Sequence, residues 1–430
     1  MKICVYVQGS YSKQAYKNES FNTRLFAGMA VVIDILKRAG ISIEYAGCAT
    51  VHRYDFVLVS ITSDCDWWDF VAERVTWQKG GYKVIVGGQG VLNVRPFLQF
   101  VDYFVLGRAE NVIDKFLMGS YHGDSIIDSK NFSPDKRYSI NQVDDIYPYE
   151  IALENGDKYR EDIIGCNHRC LFCGYTWHRK NSSQKVFEYS GLWNGGKDRE
   201  RAMIDMANGV EVDLVKLRTT AIDGMSERVR FMVNKKITRK MIVDFLIKLA
   251  SCEKPHQVKF YNIIGYPTET ADDWFEFLDD IRMADSQFNK QDKQTSILLH
   301  STPFRAMPAT PMACKPMKYE NYRGEIGKVL GKGLKGNIFY QGNAMWAVES
   351  MATDSLATVI KSAIVWRGTA ADADNFVKVA RSRKFNGANS SKKQATLEKY
   401  FNMQRLFGEF TVGDLPTRYI KTHANIEKIW

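Results

Sequence analysis

The sequence predicts an α/β protein in three parts: an N-terminal doubly wound domain, a central partial (β/α) barrel and a mainly helical, basic C-terminal region. Three observations carry that prediction. Strand-like and helix-like segments alternate through the first 120 residues and resume near residue 158. The strand-like runs are apolar throughout, the pattern of parallel strands covered on both faces. Residues 376–430 hold 11 Lys and Arg against 4 Asp and Glu, most of the chain's net charge of +10.

Residues 1–120 make the first unit. KICVYV, ISIEYAG, DFVLVSI, KVIVGG and DYFVLG read as strands. Helices are expected from about Thr23 to Arg38, around Trp67–Gln78 and from Glu110 to about Met118. Trp67, Trp68, Phe70, Val71 and Trp77 read as the buried face of the second helix. Glycines 87, 88 and 90 mark a strand end. Residues 121–157 lack periodicity and read as a linker.

Residues 158–318 hold the barrel. REDIIG precedes a cysteine cluster, and VDLVKLRTT, QVKFYNIIG and TSILLHS read as strands. The helices SERVRFMVNK and TRKMIVDFLIKLASC open on a capping Ser or Thr. Thr270 caps ADDWFEFLDDIRMAD, with Asp273 as its capping-box partner. Functional groups of such a barrel belong at the C-terminal ends of its strands. In residues 319–430, ESMATDSLATVIKSAIVW reads as one amphipathic helix.

Composition excludes several classes. At 430 residues the chain has room for two or three domains, and 45% hydrophobic content argues against disorder. The longest apolar run, LFAGMAVVIDIL, is short and broken by Asp34, so no membrane span is expected. MKICVYVQGS turns polar too early for a signal peptide. Eight cysteines are too sparse for a disulfide scaffold. A cytoplasmic location follows, which is the host cytoplasm if the source is viral.

Cys166, Cys170 and Cys173 fall within eight residues, in GCNHRCLFCGY. Zinc normally takes four ligands in pairs, and no second Cys-x2-Cys exists. A thioredoxin-like site would leave Cys166 over. Three thiolates on one loop suit an iron–sulfur cluster with one open iron. The Cys-x3-Cys-x2-Cys spacing, with Phe172 before the last cysteine, resembles the signature of the radical S-adenosylmethionine (SAM) superfamily. The resemblance implies a 4Fe–4S cluster on the three cysteines. It implies SAM on the fourth iron, cleaved by one-electron reduction to methionine and a 5′-deoxyadenosyl radical. An external electron donor such as flavodoxin or ferredoxin is implied too.

Three further stretches carry the resemblance, which spans roughly residues 158–312. AIDGMSERVRFMVNKKIT is similar to the family's Gly-Leu-Glu-Ser-Gly-Ser-x-Arg-Val-Leu segment. Asp223 stands where a SAM-contacting Glu would be, and Ser226 matches its second Ser. Ala221, Gly224 and Met225 depart from the pattern. NIIGYPTETADDW resembles Gly-x-Pro-x-Glu-Thr-x-x-Asp, which implies that Gly265 and Pro267 lie near the adenine; Glu269 and Thr270 read equally as caps. FRAMPATPM resembles Phe-x-Pro-x-Pro-Gly-Thr-Pro, with Ala306 and Ala309 in place of Pro and Gly. A Gly-Gly-Glu motif is absent, and Thr219 and Thr220 hold the equivalent strand end, where they would bond the methionine amine.

A doubly wound domain before such a barrel resembles the cobalamin-binding subclass, with residues 87–116 like its closing strand–helix unit. Histidine-ligated cobalamin needs Asp-x-His-x-x-Gly after the first strand, and the first histidine is His52. That binding mode is excluded. Binding without a lower ligand stays open, and a retained scaffold is the preferred reading.

The basic C-terminal region suggests nucleic acid, with charge tracking phosphates and Phe385, Tyr400, Phe401, Phe407 and Tyr419 stacking on bases. A solvated basic face over buried aromatics fits the composition equally. The expected function is therefore a radical SAM enzyme acting on a nucleobase. An isomerase converting N- to C-attached glycyl in the hypermodified thymidine of viral DNA is one form of it. Two alternatives are a cobalamin-type methyltransferase or peptide- or small-molecule-modifying enzyme, and a non-catalytic metal-binding nucleic-acid module. Cys4, Cys48 and Cys65 invite comparison with the extra N-terminal cysteines of methylthiotransferases, but the C-terminal region lacks their terminal β-barrel pattern.

Overall fold

The structure, a computed structural model, describes residues 1–6, 27–152, 158–159, 169–178, 202–215, 217–252, 257–288, 295–318, 337–341, 346–352, 354–382, 385, 388–416 and 419–421. It is a mixed α/β architecture built on two largely parallel sheets.

The first sheet contains β1 (Ile3–Tyr6), β2 (Ile43–Ala46), β3 (Phe56–Ser60), β4 (Lys83–Gly87), β5 (Tyr103–Val105) and β6 (Ile126–Asp128). Its order is β2-β1-β3-β4-β5-β6, parallel except for β6. Alternate residues face opposite layers. Ile3, Val5, Leu58 and Ile85 pack with α1 (Ala27–Arg38) and α3 (Ile113–Leu117). Cys4, Val57, Val59, Val84 and Val86 pack with α2 (Asp66–Arg74). Helices on both faces make the unit doubly wound. Strand order reverses between β1 and β3, the place where such sheets open a crevice at their C-terminal edge. Beside it, Gly88 has φ +115° and no room for a side chain, because a Cβ would strike the Ile61 carbonyl.

The strand β6 comes from the stretch that reads as an irregular linker. So does β7 (Tyr138–Ser139), while β8 (Ile151–Ala152) and β9 (Lys158–Tyr159) form a small antiparallel pair. Strands of two or three residues are too short to show a period in sequence.

The second sheet has the order β10-β11-β12-β14-β13. β10 (Thr219–Ala221), β11 (Gln257–Ile264), β12 (Thr295–Pro303) and β14 (Trp346–Ala352) run parallel, and β13 (Asn337–Gln341) is an antiparallel edge. The short helices α4 (Gly174–Trp177) and α5 (Ala202–Ala207) precede it. α6 (Glu227–Met232), α7 (Arg239–Ala250) and α8 (Ala271–Asp285) follow β10 and β11. Ser226 and Thr238 cap α6 and α7 by accepting from Val229 N and Met241 N. Asp273 accepts from Thr270 N at 2.8 Å at the start of α8. Two sequence expectations change. Among its described residues, the expected strand VDLVKLRTT is strand only over its last two, Thr219 and Thr220. ESMATDSLATVIKSAIVW is not one helix: its first residues end β14, and the helix α9 (Leu356–Arg367) starts after the capping Ser355.

The C-terminal region is built into the rest. α9, α10 (Ala373–Ala380), α11 (Ser390–Tyr400) and α12 (Met403–Phe407) share a core with α2. Trp67 is fully buried toward the sheet and stacks on Phe97 at 3.8 Å. Trp68 faces the other way and stacks on Phe376 at 3.9 Å. The Asn93 amide donates to the carbonyls of Val365, Trp366 and Gly368. β15 (Ile420–Lys421) pairs with β7. α9 is buried on nearly all sides, so its sequence carries little amphipathic signal.

Candidate active site

Four stretches distant in sequence meet at the C-terminal edge of the second sheet. The first is the cysteine loop, residues 169–178. Cys173 N donates to Cys170 O at 3.1 Å, closing the turn that carries both residues. Trp177 Nε1 donates to the same carbonyl at 2.9 Å. Leu171 N donates to Val233 O at 2.9 Å, and Leu171 O accepts from Met312 N at 3.2 Å. The loop is thus tied on one side to the turn after α6 and on the other to the Phe304–Met312 stretch. Cys166 lies outside the described residues.

The second stretch follows β10. Asp223 adopts a left-handed φ of 50°, a conformation Asp tolerates better than most residues. Its carboxylate meets Lys235 Nζ at 2.7 Å, and that lysine is nearly buried. Ser226 is fully committed: it caps α6 and donates to Asp273. Arg228 reaches the same carboxylate with two nitrogens, joining this stretch to the next. Arg230 is completely buried and donates to the carbonyls of Gly224, Met225 and Ile237. Burial lowers its pKa to about 10. It is the internal clamp of this loop, and sequence reading missed it because arginine on a helix reads as surface.

The third stretch follows β11. Gly265 has φ +76° and its N–H donates to Glu269 Oε2, which also accepts from Tyr266 N at 3.3 Å. Trp274 Nε1 donates to the other carboxylate oxygen at 3.2 Å. Glu269 is 2% exposed, and burial pushes its pKa up to about 7 against those hydrogen bonds. Pro267 lies half-buried in the same turn. Glu269 therefore holds the turn rigid, while Thr270 starts α8.

Tyr266 ties the stretches together. Its hydroxyl donates to Asp223 O at 3.0 Å, and its ring lies 6.1 Å from Phe172 and 5.2 Å from Phe304. Phe304 N donates to Ile264 O at 2.7 Å. In this fourth stretch Ala309 has φ 54°, which explains why glycine suits that position.

Strand alternation divides the two threonines. Thr220 pairs with Phe260, whose ring packs on Phe245 of α7 and Phe277 of α8, so it faces the helices. Thr219 pairs with Lys259 and shares the inner wall with it. Further along that wall, Tyr261 lies against His300 at 5.2 Å. Burial, then nearby Lys259, holds His300 below its ordinary pKa. His300 Nδ1 is buried with no hydrogen-bond partner among the described residues. The alternation in QVKFYNII, with Val258, Phe260 and Ile264 buried outward, is the signal that finds Lys259 and Tyr261.

Arg305, just past β12, joins Asp64 of the first unit and Asp354 after β14. Asp64 follows β3, so the C-terminal edges of both sheets converge here. Cys65, next to Asp64, lies within electrostatic reach of Arg305, but among the described residues no group of three His, Cys, Asp or Glu side chains is placed to hold a metal. Burial pushes Cys4 up to about 12 and Cys65 to about 11, and the Cys48 thiol lies 2.9 Å from Tyr6 Oη. In the C-terminal region Phe385, Phe401, Phe407 and Tyr419 are buried, and only Tyr400 is exposed. Among the described residues no helix is long and apolar enough to cross a membrane.

No protein-family profile matches the chain, and no curated protein matches its sequence. Solved structures do. A radical SAM methyltransferase, TsrM from Kitasatospora setae, with cobalamin and a [4Fe-4S] cluster, is similar at 13% identity and a TM-score of 0.42, over 73% of this chain and 78% of that one. The cobalamin-dependent SAM radical enzyme OxsB is similar at 9% identity and a TM-score of 0.24, over 97% of this chain and 57% of that one.

Proposed function

We propose that this chain is a radical SAM enzyme. One observation supports the reading above others: the cysteine loop, the Asp223 loop, the Gly265 turn and the Phe304–Met312 stretch meet through named hydrogen bonds and the Tyr266 side chain.

The donor set fits an iron–sulfur cluster. Cys170 and Cys173 share one turn, and thiolates are the ligands such clusters take. With Cys166 they would hold three irons and leave one for SAM. A cluster held there supplies the electron that cleaves SAM. The chain's own residues do the rest. Asp223, oriented by Lys235, accepts hydrogen bonds from the bound cofactor. Glu269 fixes the Gly265 turn so that backbone lies against the adenine. Phe172, Tyr266 and Phe304 keep water from the reacting centre. Thr219, on the inner wall, is the better placed of the two threonines to meet the methionine amine.

For the reaction catalysed, the position of Arg305 favours a second reading, a cobalamin-type transferase. The crevice of a doubly wound sheet opens at its C-terminal edge, and here that edge faces the barrel mouth. A corrinoid held at this edge would be bounded by Asp64, Arg305 and Asp354 and would supply methyl-transfer chemistry. The thymidine-isomerase reading keeps the charge of the C-terminal region and the exposed Tyr400 as support, but not Phe385, Phe401, Phe407 and Tyr419, which are core.

The test is anaerobic reconstitution with iron and sulfide, followed by dithionite and SAM. Wild type should release 5′-deoxyadenosine, and Cys170→Ala and Cys173→Ala should release none and bind less iron. No product from wild type, or equal product from Cys170→Ala, overturns the enzyme reading. Hydroxocobalamin that co-elutes with the protein supports the transferase. DNA binding that weakens with salt supports a nucleic-acid substrate instead.

A further inference from the structure

Strand register sets a row of unpaired charges on the inner face of the second sheet. Val258, Phe260, Ile297, Leu299 and Val348 pack on the outer side, in one core with α7 and α8. The residues between them point to the opposite face. Pairing of β10, β11, β12 and β14 aligns Thr219, Lys259, Leu298 and Glu349 in one row across that face. Tyr261, His300 and Met351 form the next row, two residues nearer the C-terminal edge. Lys259 and Glu349 are both half-buried, and neither has an oppositely charged partner among the described residues. Leu298 stands between them, so their strands lie about 10 Å apart. Lys259 Nζ is 5.8 Å from the centre of the Tyr261 ring. The Tyr261 and His300 rings are 5.2 Å apart, and His300 Nδ1 is buried with no hydrogen-bond partner among the described residues.

We propose that Lys259 and Glu349 bind the carboxylate and the ammonium of an α-amino-acid group in the substrate. The proposal rests on the radical SAM reading and names the substrate class of that same site. A plain anion on Lys259 would meet Glu349, and a plain cation on Glu349 would meet Lys259. An apolar ligand would leave both charges buried and unpaired, which is costly. A group that carries both charges side by side satisfies both residues, and charge-assisted hydrogen bonds at its two ends are strong ones. Leu298 lies under its central carbon. The Tyr261–His300 row stands about 7 Å nearer the C-terminal edge. A head held on the Lys259 row therefore directs the body of the substrate along Tyr261 and His300, towards the edge where the cysteine loop is tied. His300 Nδ1 leaves one hydrogen bond for that body.

The experiment uses the full chain reconstituted with iron and sulfide. The probes are the twenty common amino acids, each in turn, and N-benzylglycine, which carries the same head on an attached ring. Binding is measured by isothermal titration calorimetry with and without excess SAM. Wild type should bind at least one probe in both conditions, and the amide and the N-acetyl form of that probe more than tenfold more weakly. Lys259→Met should lose the preference over the amide and keep that over the N-acetyl form. Glu349→Gln should do the reverse, a split that a misfolded protein would not show. A free amino acid that binds identifies the head as that of a small molecule; binding of N-benzylglycine alone identifies it as one joined to a larger body. No probe bound by wild type, blocked forms bound as tightly as the parent, or variants with both preferences intact overturn the proposal. Binding abolished by SAM overturns it too, because the pair then belongs to the cofactor's own amino-acid head. Dithionite-driven release of 5′-deoxyadenosine is measured in parallel. If wild type releases none, the radical SAM reading fails by that measurement, while the calorimetry still decides the amino-acid site.

Discussion

Arg305 Nη1 lies 3.2 Å from Asp64 Oδ2, a residue 241 positions earlier in the chain. The same guanidinium holds Asp354 with its other terminal nitrogen. Asp64 follows the third strand of the first sheet, and Arg305 and Asp354 follow strands of the second. One side chain therefore fixes how the two C-terminal edges face each other, and any ligand held between them is bounded by it.

Replacing Arg305 by Met should leave the Asp64 carboxylate, 9% exposed, without its counter-charge. Loss of one partner of a largely buried pair costs about 3–5 kcal/mol. Urea denaturation should show the midpoint falling, and Asp64→Asn in the Arg305→Met background should recover part of the loss. An unchanged midpoint in the single variant would mean that the contact does not couple the two sheets.

Glu269 makes a pH prediction whose sign is the reverse of the usual carboxylate. Burial raises its folded-state pKa from 4.5 to about 7. The stability it contributes is complete below pH 4.5 and is lost as pH rises through 7. The span corresponds to about 3 kcal/mol. Glu269→Gln carries no charge at any pH and can still accept from Gly265 or Tyr266. The difference in Tm between wild type and this variant should therefore shift against wild type between pH 4.5 and 7.5. A difference that stays flat over that interval would show that Glu269 titrates normally.

Trp68 tests whether the basic C-terminal region is an appended tail or part of the core. Its ring stacks on Phe376, and its Nε1 donates to Lys361 O at 3.3 Å. Trp68→Ala should cost about 3–5 kcal/mol, as large aromatic truncations in cores do. A tail would leave the unfolding midpoint where it is.

That packing marks the boundary of what was legible. The five parallel strands of the first sheet could be read because they are continuous apolar runs, and α7 and α8 because Thr238 and Thr270 announce them. The helical tryptophans were recognisable as core, but not that Trp68 turns away from its own sheet to meet residues 300 positions on. The rings of Phe385, Phe401 and Tyr419 looked equally suited to stacking on bases, since composition does not distinguish a ring in a core from one on a surface. β14 merged with α9 because seven strand residues and a helix buried on all sides give no single period. At the site, the Cys170 loop and the Gly265 turn were visible as local motifs. The Arg305–Asp64 pair left no trace, because nothing in either neighbourhood refers to the other.

Asp223 offers the sharpest test of the site itself, because two effects of one substitution can be separated. Its carboxylate is bound to Lys235, which is 5% exposed. Asp223→Asn removes the charge and keeps the shape and the left-handed backbone, which Asn also tolerates. Lys235 is then left nearly buried without a counter-ion, so stability should fall by a few kcal/mol. If the carboxylate also accepts from SAM, equilibrium dialysis on reconstituted protein should show affinity falling about tenfold or more, the worth of a hydrogen bond to a charged group. Asp223→Asn with Lys235→Met removes the stranded ammonium and should restore much of the stability without restoring SAM affinity. Recovery of both together would make Asp223 a purely structural partner of Lys235 and leave the cofactor to other residues.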